Sequence, residues 1–253
     1  MIRLREASCL AALALLVVLV GCRSGGKDDP ILRLSAAESL AEGKKLFERE
    51  KYAAARPYFS HAFEVEPNSA AGREALLLVA DTLFLEGAET DLIQAEAKYR
   101  DFQNRFPTSE RGDYVQFQIA RSLARRIERA DRDQASTAKA LQAFEDLLRL
   151  YPTSPHAEAA RTEITVVRDR LAEHEYVVGY FYLRYGLPGA AIARLSTLLE
   201  RYPDFGERDK ALWALGMSYN KAKKADDAQA AFTKLRGEFP QSRWLEKIPE
   251  ENR

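Results

Sequence analysis

The chain has 253 residues and very little cysteine: Cys9 and Cys22 are both near the N-terminus, and none follows. A disulfide framework and a cysteine-ligated zinc site are thereby excluded from the body of the protein. Net charge is also missing, because 38 Lys and Arg balance 38 Asp and Glu. A basic footprint for nucleic acid is absent from the total, so no nucleic-acid partner is expected. Strand-like alternation is scarce. The apolar run Cys9 to Val20 is shorter than the ~20 residues of a comfortable membrane span. Phosphate loops, G-x-G-x-x-G and G-x-S-x-G are absent. His61, His156 and His174 lack a partner at metal-ligand spacing; His174-Glu175-Tyr176-Val177-Val178 has no second histidine. His61 reads as a structural or surface residue and His174 as an exposed helical one. No catalysis, metal or cofactor is expected.

What is present favours helix: Ala, Leu, Arg and Glu dominate. The first segment reads as an address. Arg3 and Arg5 precede the apolar run, and Leu19-Val20-Gly21-Cys22 has the form of a lipobox. A thiol can take a lipid thioether, and small Gly21 admits a peptidase cut before Cys22. Residues 1–21 are therefore expected to be a lipoprotein signal peptide, Cys22 the lipidation site, and 22–34 a lipidated N-terminus and flexible linker. Arg23, not Asp, follows the cysteine, which in lipoproteins of the proteobacterial type implies onward transport to the outer membrane.

From Ser35 onward the chain repeats. Pro67, Pro107, Pro152, Pro203 and Pro240 each follow a helical stretch, at spacings of 40, 45, 51 and 37. Proline stops a helix, and the Ser, Thr or Asp behind it can cap the next. From Gly43, the residues Leu46, Ala55, Phe59, Ala62 and Pro67 lie at offsets 3, 12, 16, 19 and 24. Gly216 with Tyr219, Ala228, Phe232, Leu235 and Pro240 repeats those offsets, as does Gly179 with Tyr182, Ala191, Leu195, Leu198 and Pro203. A small residue on each helix lets a pair pack closely while a larger one fills the groove beside it. Tetratricopeptide repeats of about 34 residues end in proline the same way.

The expected fold is all-α: a right-handed α-solenoid of five tetratricopeptide-like helix pairs, with one long helix before the fourth repeat. The repeat domain spans 35–248, divided near 35–68, 69–108, 109–153, 154–204 and 205–241, with a closing helix at 242–248. The second and third units keep only the back half of the pattern (Ala95, Tyr99, Phe102; Ala140, Phe144, Leu147), which predicts front helices that end early and longer turns. Pro155 to Tyr185 has no breaker except Gly179, which predicts one helix of about 30 residues. Ser35 to Glu38 and Asp204 to Glu207 have capping-box form.

In such repeats the front helices line a groove. At this register the groove positions are Leu40, Lys44 and Phe47 in the first unit; Tyr176, Tyr180, Leu183 and Arg184 in the fourth; and Trp213, Met217, Asn220 and Lys221 in the fifth. Aromatics, Met and Arg anchor partners; the same spacing also suits core aromatics, and both readings stand at this point. Arg121, Arg125, Arg126 and Arg129 make a basic stripe assigned to the third front helix, either a solvated face or a receiver of an acidic segment.

Asp169 to Pro203, DRLAEHEYVVGYFYLRYGLPGAAIARLSTLLERYP, is similar to the fourth repeat region of the BamD family, and the DRDQ run at 131–134 resembles that family too. The resemblance implies a non-enzymatic, lipid-anchored outer-membrane scaffold facing the periplasm. It implies C-terminal repeats that dock on the periplasmic POTRA domains of a BamA-type barrel insertase, N-terminal repeats that receive unfolded outer-membrane proteins, and other assembly-complex lipoproteins as partners. The alternatives are a periplasmic repeat adaptor serving Tol–Pal or cell-wall synthesis, and a helical enzyme carried on repeats.

Overall fold

The computed structural model describes residues 29–252; the signal-peptide and Cys22 assignments lie outside the described residues. Among the described residues the regular structure is helical, and its ten α-helices pair in chain order. The pairs are α1 (Ala36–Phe47) with α2 (Tyr52–Val65), α3 (Ala70–Glu86) with α4 (Glu89–Arg105), α5 (Gly112–Ala124) with α6 (Ala135–Leu150), α7 (Ala157–Arg184) with α8 (Pro188–Arg201), and α9 (Arg208–Lys221) with α10 (Ala225–Glu238). Each helix packs on the one before and the one after, as short connections require. Pro67, Pro107, Pro152, Pro203 and Pro240 each follow the second helix of a pair.

The repeated offsets have a direct physical cause. A Cβ built on Gly43 would lie 2.5 Å from Phe59 Cε1, one on Gly216 2.5 Å from Phe232 Cε1, and one on Gly179 2.8 Å from Leu195 Cγ. In each pair a back-helix side chain rests on bare front-helix backbone. Gly216→Ala is therefore expected to cost about 1–3 kcal/mol by overpacking, read as a lower urea midpoint with an unchanged slope.

α1 begins with the expected capping box: Ser35 accepts from the Glu38 amide, and the Glu38 carboxylate accepts from the Ser35 amide. Asp204 to Glu207 does not cap. α9 starts at Arg208 without a side-chain cap, and the Gly206 amide donates instead to Asp169 Oδ1 at 2.8 Å. The second unit also differs from expectation. Its front helix does not end early; two helices of 17 residues meet across Gly87-Ala88 alone. Gly87 takes φ 74, the left-handed C-cap that glycine adopts without strain. The unit's extra length is in its helices. The third unit does carry the long turn, residues 125–134.

The basic stripe is redistributed, because α5 stops at Ala124. Arg125 donates to the Phe84 carbonyl at 2.7 Å, covering the end of α3, and Arg126 pairs with Glu96 at 3.0 Å with only 13% of its side chain exposed. Arg121 lies over the Phe84 ring, and Arg129 pairs with Asp131. Arg121, Arg125 and Arg126 thus fasten the third unit to the second, while Arg129 stays solvated and pairs within its own turn.

The histidines are structural. His61 is buried with Nε2 at 3.0 Å from the Leu34 carbonyl, which draws the 3₁₀ turn Pro30–Arg33 onto α2 and orders the last part of the expected linker. His156 stacks on Phe117. His174 is half-buried rather than exposed, with Nδ1 2.6 Å from the Ala130 carbonyl.

α7 is the girder of the molecule. Its 28 residues, close to the expected length, run without proline and with Gly179 as the one glycine. Ala160 and Val167 finish one apolar core that begins at Ala36, and Ala172, Tyr176 and Leu183 open a second that runs into α8 and α9. The charged stretch Arg168-Asp169-Arg170 separates them. Among the described residues beyond α10 there is no closing α-helix, only the 3₁₀ turns Leu245–Lys247 and Glu250–Asn252. Their Ile248 is buried in the terminal core with Leu212, Phe232 and Leu235.

Candidate functional site

The site is built from the C-terminal half of α7, the face of α9 beside it, and the tail. Residues four apart on a helix stack above one another. Tyr176 and Tyr180 do so with centroids 5.6 Å apart and rings inclined by 12°. Tyr180 reaches Trp213 on α9 at 6.4 Å, and Trp213 reaches Trp244 of the tail at 4.6 Å. Four rings from three elements thus form one aromatic ladder.

Cations cover its ends. Lys210 Nζ lies 4.3 Å from the Tyr176 centroid and pairs with Glu207 at 2.6 Å. Lys247 Nζ lies 4.2 Å from the Trp244 centroid, with Arg243 at 5.4 Å. Such contacts contribute about 0.5–1 kcal/mol each where exposed. Burial, then neighbouring Tyr180 and Glu207, push the Tyr176 phenol above its ordinary value, so it remains a neutral donor.

The twelve residues singled out from sequence fall into distinct places. Cys22 lies outside the described residues. In the first unit Leu40 is buried in the core, Phe47 packs edge-on against Tyr52 and Phe59, and Lys44 pairs with Glu74 of α3 at 2.7 Å. In the fourth unit Tyr176 and Leu183 are buried, Tyr180 is half-buried and Arg184 is exposed. In the fifth, Trp213, Met217 and Asn220 are half-buried. Lys221 donates to the Leu183 carbonyl at 2.9 Å, a cation at a helix C-terminus, where the dipole favours it. The structure thus brings together Tyr176, Tyr180 and Trp213, and leaves the first-unit trio apart from them.

Two contributions were not read from sequence. The tail occupies part of the fifth-unit face: Trp213 Nε1 donates to the Lys247 carbonyl at 3.1 Å, and Asn252 bonds the Asn220 amide. Arg236 donates to the Asn252 carbonyl at 3.0 Å. Lys210 was missed because it lies in the first turn of α9, three residues before Trp213, where the groove positions read from sequence begin. The Arg243-Trp244-Leu245-Glu246-Lys247 run carried the signal for the tail, since cations flank a tryptophan there.

This arrangement is an aromatic surface with cationic margins, in which Tyr180, Trp213 and Trp244 are half-buried and Tyr176 is buried. It suits the docking of a partner chain that presents apolar and acidic groups.

Comparison with known proteins places the chain. The profile of the family YfiO, described as outer membrane lipoprotein, matches residues 34–235. The chain is 29% identical over 234 residues to the outer membrane protein assembly factor BamD of Rickettsia prowazekii, covering 92% of each. It is 26% identical over 228 residues to that of Haemophilus influenzae, covering 86% of this chain and 85% of the relative. Among solved structures it aligns with the TPR2AB-domain:pHSP90 complex of yeast Sti1, at 15% identity and TM-score 0.44 over 81% of this chain and 78% of that one. A thermophilic TPR protein of Thermus thermophilus aligns at 21% identity and TM-score 0.37, over 83% and 97%. With the family profile covering most of its length, the chain belongs to the YfiO/BamD family of outer membrane lipoproteins.

Proposed function

We propose that this protein is a non-enzymatic scaffold of the outer-membrane β-barrel assembly complex, tethered by lipid on Cys22 and facing the periplasm. The aromatic ladder Tyr176–Tyr180–Trp213–Trp244 carries this reading. It docks the periplasmic POTRA domains of a BamA-type insertase, with Arg184, Met217 and Lys221 at its margin. The relatives named as assembly factors support that assignment. The N-terminal repeats receive segments of unfolded outer-membrane proteins. There Lys44 and Glu74 offer the polar contacts, whereas Leu40 and Phe47 are turned toward the core and serve its shape. Other lipoproteins of the complex are further partners.

The test is a photo-crosslinking residue placed at Tyr180 in living cells, with Glu145 on the back helix α6 as control. A crosslink to a barrel protein with POTRA domains from position 180, absent at 145, is the expected result. Tyr180→Ala with Trp213→Ala should lower co-purification of that protein at least about tenfold while leaving the helical signal unchanged. Crosslinks to Tol–Pal or cell-wall enzymes instead would overturn the assembly role and leave the fold intact.

A further inference from the structure

Large apolar side chains are mostly turned inward in this protein, but the turn between α7 and α8 is an exception. Phe181 is 50% exposed, Tyr185 69% and Leu187 53%. They form one surface, because the Phe181 and Tyr185 ring centroids lie 4.3 Å apart and Phe181 also meets Tyr182 edge-on. Gly186, at φ 74, turns the chain sharply, and a Cβ there would meet nothing within 4 Å, so the space beside the turn is open. None of these three rings or side chains belongs to the ladder. Contiguous exposed apolar surface of this kind marks an interaction site, whereas scattered single residues do not.

Cations surround it. Arg184 is exposed on the same turn. The Lys221–Leu183 bond sets the end of α9 beside the end of α7, which brings the next turn, with exposed Lys223 and Lys224, to the same edge. The carboxylates of this edge include Asp226 and Asp227, in the first turn of α10, where the helix dipole offsets part of their charge, and Glu250 and Glu251 of the tail, brought near by the Asn220–Asn252 bond.

We propose that the α7–α8 turn is a membrane-contact surface whose aromatic side chains seat in the headgroup layer of an anionic lipid bilayer, with Lys223 and Lys224 on the phosphates. The chemistry favours lipid over a protein partner. The surface is a turn, not a groove, and its residue types are those that settle at a bilayer interface: aromatic rings with a polar edge, and Lys and Arg whose stems follow apolar surface while their heads stay in water. Charge complementarity with an anionic leaflet adds to this. The inference rests on the reading that lipid on Cys22 holds the chain at a membrane. A surface of this kind then supplies a second contact and fixes how the array lies on the bilayer.

The test uses the full mature chain. A nitroxide is attached at Tyr185→Cys, with Thr153→Cys on the opposite edge as control, in nanodiscs of phosphatidylcholine with or without phosphatidylglycerol. Collision of the label with a water-soluble nickel complex is measured. The expected result is at least a threefold loss of accessibility at 185 with phosphatidylglycerol and none at 153. Lys223→Gln and Lys224→Gln together should restore it. Equal accessibility at both positions in both lipids overturns the proposal, as does protection at 185 that arises only when a protein partner is added. The mass of the N-terminal peptide reports lipidation separately. If Cys22 carries no lipid, flotation of the same chain with phosphatidylglycerol vesicles reads the turn alone. Binding that falls at least fivefold in Phe181→Ser with Tyr185→Ser supports the inference even then, and no change contradicts it.

Discussion

Replacing Phe232 by alanine is expected to remove about 3–5 kcal/mol of stability and to release the fifth helix pair first. Phe232 is fully buried, and its ring lies against the backbone of Gly216. The cavity left behind would be walled on that side by helix backbone, which cannot collapse inward as a side chain can. Leu212, Leu235 and Ile248 would lose a shared neighbour. In a repeat array each unit leans on its neighbours, and a terminal unit has one fewer. Amide exchange in α10 and the tail should therefore rise before that in α3 to α6. A loss below about 1.5 kcal/mol, or exchange that rises uniformly along the chain, would show that the pair is not held by this contact. Gly216→Ala should interact with Phe232→Leu, because the shorter side chain makes room for the added methyl, and the double variant should be more stable than the sum of the two losses.

That glycine–aromatic contact also explains what could be read from sequence. Offsets recur at Gly43, Gly179 and Gly216 because steric exclusion at a helix crossing leaves few residue types that fit, so the register is written in residue identity. The long α7 was legible for a similar reason: nothing in Pro155 to Tyr185 breaks a helix. Turn positions are less constrained. The second unit lost the front half of the pattern without losing its helix, since LLLVADTLFLE packs by leucine and valine bulk instead of by a bare glycine. The arginine stripe was misplaced because its partners, Phe84 and Glu96, belong to the preceding unit, and spacing within one helix says nothing of them.

The candidate site was legible in part. Tyr176 and Tyr180 are neighbours by helical geometry alone. Their continuation through Trp213 to Trp244 depends on how α9 and the tail are set beside α7, which is a tertiary fact. His174 shows the same limit. Its carboxylate neighbours in sequence, Glu173 and Glu175, pair with Arg170 and Arg194, while the histidine turns to the Ala130 carbonyl across the unit boundary.

The same boundary logic gives the other large effect, at Asp81 on α3. Its Oδ1 accepts from Tyr99 of α4 at 2.6 Å and from Tyr114 of α5 at 2.8 Å, so one carboxylate ties three helices across two units. Burial raises the Asp81 carboxyl above its ordinary value, against the opposing pull of the two phenols and of nearby Arg111. Both phenols are themselves pushed far up by burial and by Asp81, so they remain protonated donors. Asp81→Ala should cost about 2–4 kcal/mol, chiefly because Tyr99, which is fully buried, loses its acceptor without gaining water. Asp81→Asn keeps an oxygen for both phenols and carries no charge, so it separates geometry from ionisation. A carboxyl raised in the folded state contributes stability that is fully present below the unfolded value, near 3.8, and lost as pH rises through the folded value. The asparagine variant lacks that loss. Its urea midpoint relative to the natural chain should accordingly improve from about pH 4 upward, and level off once Asp81 is fully ionised in the folded protein. Midpoints of the two chains that run parallel from pH 4 to pH 8 would mean that the phenols and Arg111 outweigh burial, and that this carboxylate is held ionised as a deliberate acceptor between the second and third units.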